Sequence, residues 1–125
     1  MHVVKHPSEP FETGGARIHQ VPVLKDNLVW LVECLATGEC AVVDGPPDAE
    51  PVLAKVAELG LTLTTIWNTH THWDHIGINE ALAEKGMLDG LRVFGPGGRG
   101  VPGLTDAIDE GDTARVGEVV AQVWR

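Results

Sequence analysis

Hydrophobic and polar positions alternate along the chain in a way that predicts a mixed sheet with helices. Arg17 to Val23 and Leu28 to Leu35 read as strands, with Lys25-Asp26-Asn27 as the turn between them. Glu39 to Asp44 is a short apolar strand that stops at Gly45-Pro46-Pro47, because prolines cannot continue a ladder. Val52, Leu53, Val56, Ala57 and Leu59 form one apolar stripe at helical spacing, with Asp48 as the predicted N-cap and Gly60 as the stop. Leu61 to Thr69 is β-branched and strand-like. A second helix is predicted from about Gly77 to Lys85, ended by Gly86. Leu91 to Phe94 is a further strand, Gly95 to Gly103 a glycine-rich loop, and Thr113–Val116 with Glu118–Trp124 a hairpin turning near Gly117. The order β, β, β, α, β, α, β, hairpin predicts an α/β domain.

Residues 1–16 are polar, with two prolines and Gly14-Gly15, and read as a loose N-terminal arm; residues 17–125 form the domain. The final residues lie inside an apolar strand pattern, so the chain reads as stopping early. An apolar edge there invites association with another chain, so a dimer or aggregation is expected.

A length of 125 residues suits one domain, and 43% hydrophobic with 22% charged residues is a globular composition. The net charge of −9 argues against nucleic acid and anionic membrane surfaces as partners. No apolar run is long enough to cross a bilayer and the N-terminus has no signal-peptide core, which predicts a cytoplasmic protein. Cys34 and Cys40 flank a turn and read as reduced, buried strand residues. Trp30, Trp67 and Trp124 fall in strand patterns and are expected in the core. His2, His6 and His19 are expected to be exposed bystanders, and Asp106, Asp109 and Asp112 to belong to a solvated turn.

The chemistry concentrates in Thr69-His70-Thr71-His72-Trp73-Asp74-His75, where three of the six histidines and one aspartate fall within six positions. They lie where a strand ends and a helix is about to begin, a common place for ligand sites in α/β sheets. Residues two apart in extended chain point the same way, so His70 and His72 can converge on one point. Asp74 and His75 are neighbours, and the turn must redirect one of them if both share a metal. Imidazole with carboxylate is a zinc or iron donor set. Four ligands this close divide more naturally as two per ion, in a binuclear site with the ions about 3.5–4 Å apart, and each ion then needs further ligands. Trp73 lines the site or covers its edge.

At this motif the sequence resembles the metallo-β-lactamase superfamily, whose signature is Thr-His-x-His-x-Asp-His after a strand. Its flanks, Val21 to Trp30, Val42-Val43-Asp44, Val93-Phe94-Gly95, Val101-Pro102-Gly103 and Asp109 to Asp112, are similar to the glyoxalase II branch, the hydroxyacylglutathione hydrolases. The resemblance implies the N-terminal part of a four-layer αββα sandwich. It implies zinc held by His70 and His72 at one position and by Asp74 and His75 at a second, with Asp74 also catalytic. Asp44 would buttress the ligands or cap the turn into Gly45. The implied reaction is thioester hydrolysis of an S-acylglutathione by metal-bound hydroxide. Family members add a third histidine in a Gly-His-Thr context, a bridging aspartate, a last histidine and a glutathione-binding helical domain, none of which has a counterpart here. A partner chain or second copy completing the site is therefore one expectation. An inert metal-binding remnant and a mononuclear-iron, persulfide dioxygenase-like protein are the alternatives.

Overall fold

The computed structural model describes residues 11–23, 27–45, 49–68, 73–96, 101, 103–108 and 111–122. Seven strands form one sheet in chain order: β1 (Phe11–Thr13), β2 (Ala16–Val23), β3 (Asn27–Cys34), β4 (Glu39–Val43), β5 (Thr62–Trp67), β6 (Arg92–Gly95) and β7 (Asp106–Ala107). The β1 to β4 neighbours pair antiparallel and those from β4 to β7 pair parallel. Helices α1 (Glu50–Leu59) and α2 (Trp73–Glu84) make the crossovers that parallel pairing requires. A separate hairpin, β8 (Thr113–Val116) with β9 (Val119–Gln122), forms a second, two-stranded sheet.

Strand alternation sends two different sets of side chains to the two faces. Leu31, Cys40, Val42, Ile66 and Val93 face the helices and pack with Val52, Val56, Ile78 and Leu82. Full burial of each such side chain contributes about 1.5–3 kcal/mol. Ala16, Val32, Cys34 and Ala41 face the other way and pack under Val116 and Val119 of the hairpin. The molecule is thus layered as helices, sheet, and the start of a second sheet.

Both helices end on a glycine in the left-handed region. After α1, Gly60 (φ 69°) donates to the Ala57 carbonyl and Leu61 to that of Val56. After α2, Gly86 (φ 74°) donates to Ala83 and Met87 to Leu82. This paired pattern satisfies the last carbonyls of each helix.

The structure corrects several expectations. Phe11–Thr13, assigned to the loose arm, is a strand paired with β2; residues 1–10 lie outside the described set. The α1 N-cap is Ala49, without a side-chain cap, while Asp48 is outside the described residues. His19 is 3% exposed, because alternation along β2 turns it to the helix side, where its Nε2 lies 2.9 Å from Glu33 Oε1. Trp30 is 41% exposed rather than core. Asp106 is in β7, where Arg92 holds its carboxylate in two hydrogen bonds of 3.2 and 2.8 Å. Those bonds and one from Thr105 hold Asp106 below the usual carboxylate range. A two-residue strand is too short to show any periodicity in sequence. His2, His6, Asp109 and Trp124 lie outside the described residues, and Asp112 is exposed.

Cys34 and Cys40 are buried and free, packed on opposite faces of the sheet. Burial, followed by the charge of Glu33, pushes the Cys40 thiol up to about 12. Cys34 instead accepts a hydrogen bond from the Glu118 amide, and such bonds from Thr37 and Glu118 outweigh desolvation to lower its thiol.

Candidate metal centre

Because β4, β5 and β6 run parallel, their carboxyl ends share one edge of the sheet, and the segments following them leave from that edge. Hydrogen bonds carry the ladder one step past the strands. The Asp44 amide donates to the Trp67 carbonyl at 2.9 Å, and the Asn68 amide to that of Phe94 at 2.7 Å. In sequence the motif follows β5, which ends at Trp67, and runs into α2.

His70 and His72 lie outside the described residues. Asp74 and His75 fall in the first turn of α2, which begins at Trp73 and not near Gly77 as the sequence predicted. Among the described residues there is no group of three metal-ligating side chains.

Two contacts fix the frame on either side of the motif. Asn68, the last described residue before it, pairs with Asn79, nearly two turns inside α2. Asn79 Nδ2 donates to Asn68 Oδ1 at 2.9 Å, and Asn68 Nδ2 to Asn79 Oδ1 at 3.4 Å. Both side chains are buried. This amide pair ties the end of β5 to the helix that carries Asp74 and His75. The second contact joins α2 to the end of β4: the Ile78 amide donates to the Gly45 carbonyl at 3.0 Å, and a Cβ on Gly45 would lie 2.8 Å from Ile78 Cγ2. Only glycine permits that approach. Sequence reasoning missed both asparagines; the available signal was two polar amides at otherwise apolar positions.

Asp44 stands between these contacts. It is half-buried, and at φ 45° it is the one non-glycine residue with a positive φ among the described residues. Aspartate tolerates this region better than most residues, and such strain typically costs about 1–3 kcal/mol and clusters at functional sites. Its place at the end of β4, bonded to the end of β5, suits a buttress of the motif.

Asn79→Leu is expected to lower stability by about 1–3 kcal/mol, because it removes the hydrogen bonds that the buried Asn68 amide makes with Asn79. The double variant Asn68→Leu/Asn79→Leu is expected to lose less than the sum of the singles in denaturant unfolding. Strict additivity would mean that the two amides do not act as a pair.

Known proteins are similar to this chain over most of its length. The model of the metallo-beta-lactamase superfamily matches residues 24–92. A hydroxyacylglutathione hydrolase from Rhodospirillum rubrum is 45% identical over 106 residues, covering 85% of this chain and 41% of that protein. The cytoplasmic hydroxyacylglutathione hydrolase of Arabidopsis thaliana is 38% identical over 102 residues, covering 82% and 38% respectively. Among solved structures, ETHE1 from Myxococcus xanthus superposes with a TM-score of 0.68 at 32% identity, over 84% of this chain and 46% of its own. The chain therefore spans about two fifths of the length of the curated relatives it matches. No helix among the described residues is long and apolar enough to cross a membrane.

Proposed function

Because the chain belongs to the metallo-beta-lactamase superfamily, we propose that it carries the metal-binding half of a thioester hydrolase acting on S-acylglutathione substrates. The observation that carries this reading is the His-x-His-x-Asp-His motif in the sequence, which runs from the end of β5 into α2, two elements pinned to one another by the Asn68–Asn79 pair. The names of the relatives support the substrate class.

The donor set fits zinc, and iron as the second choice, since imidazole and carboxylate suit both. His70 and His72 would hold one ion, and Asp74 and His75 the other. Bound there, the metal would lower the pKa of water and polarise the thioester carbonyl. Asp74 is the anionic donor of the set and so the group able to take a proton from water. Asp44 and the Asn68–Asn79 pair hold the backbone on either side of the ligands and keep them in position. The described residues supply no acidic or imidazole cluster to complete two coordination shells. Each ion needs further ligands beyond these four.

The test is hydrolysis of S-lactoylglutathione by zinc-loaded protein before and after chelation. Turnover abolished by the chelator and restored by zinc is expected. Turnover unchanged by chelation, or none by zinc-loaded protein supplied with the remaining ligands, would contradict the proposal.

A further inference from the structure

We draw no further inference here: the strongest candidate, the cavity of about 420 Å³ between the β1–β2, β3–β4 and β8–β9 turns with Cys34 in its wall, rests on a lone buried cysteine whose sulfur accepts the Glu118 amide, and nothing among the described residues shows what ligand it would take.

Discussion

His70→Ala/His72→Ala is expected to abolish metal-dependent thioester hydrolysis while leaving the fold intact. The two imidazoles form one pair of the proposed donor set, and metal polarisation of a carbonyl is worth several kcal/mol of barrier. At about 1.4 kcal/mol per tenfold, that predicts a fall of roughly 10²–10⁴ in rate. The fold should survive, because the core is built from Leu31, Val42, Ile66, Ile78, Leu82 and Val93, none of which belongs to the motif. Circular dichroism and denaturant unfolding close to wild type, with the activity lost, is the expected pairing. Equal losses of stability and activity would instead make the histidines structural.

The second large effect is at Gly45. Valine there is expected to destabilise the protein by about 1–3 kcal/mol or more, the usual range for overpacking. A Cβ would lie 2.8 Å from Ile78 Cγ2 and 2.9 Å from Ile78 Cβ, and Ile78 has no free space because it is fully buried. Nor can the backbones part easily, since the Ile78 amide is bonded to the Gly45 carbonyl. The strain should move α2, and with it Asp74 and His75, away from the end of β4. Combining Gly45→Ala with Ile78→Ala should give a smaller loss than the two single changes added together, because the truncated side chain makes room for the new methyl. Additive losses would show that the close approach does not matter. Retained metal affinity in a destabilised Gly45→Val protein would separate the α2 frame from the site.

The long strands were legible because alternation over eight residues is a strong signal: β2 and β3 each lie within one residue of their expected bounds. α1 was legible from its apolar stripe and its terminal glycine. The start of α2 was not, because its first turn carries Trp73, Asp74 and His75, whose chemistry masks the helical pattern. His19 was misread because its polarity outweighed its place in an alternating strand, where Glu33 satisfies it. Trp30 was misplaced for the opposite reason. Its bulk and strand context suggested burial, but strand alternation puts it on the face that the hairpin covers only in part. The motif itself stood out from spacing alone. The asparagine pair did not, because Asn68 and Asn79 are eleven residues apart and meet only when strand and helix fold back together.

The most direct test of the metal centre is zinc and iron per chain, measured by elemental analysis of folded, size-selected protein alongside His70→Ala/His72→Ala. The account predicts at least one tightly held ion per chain, about two when both donor pairs are filled, and loss of metal in the double variant. No bound metal in the wild type, or equal metal in the two proteins, would contradict it.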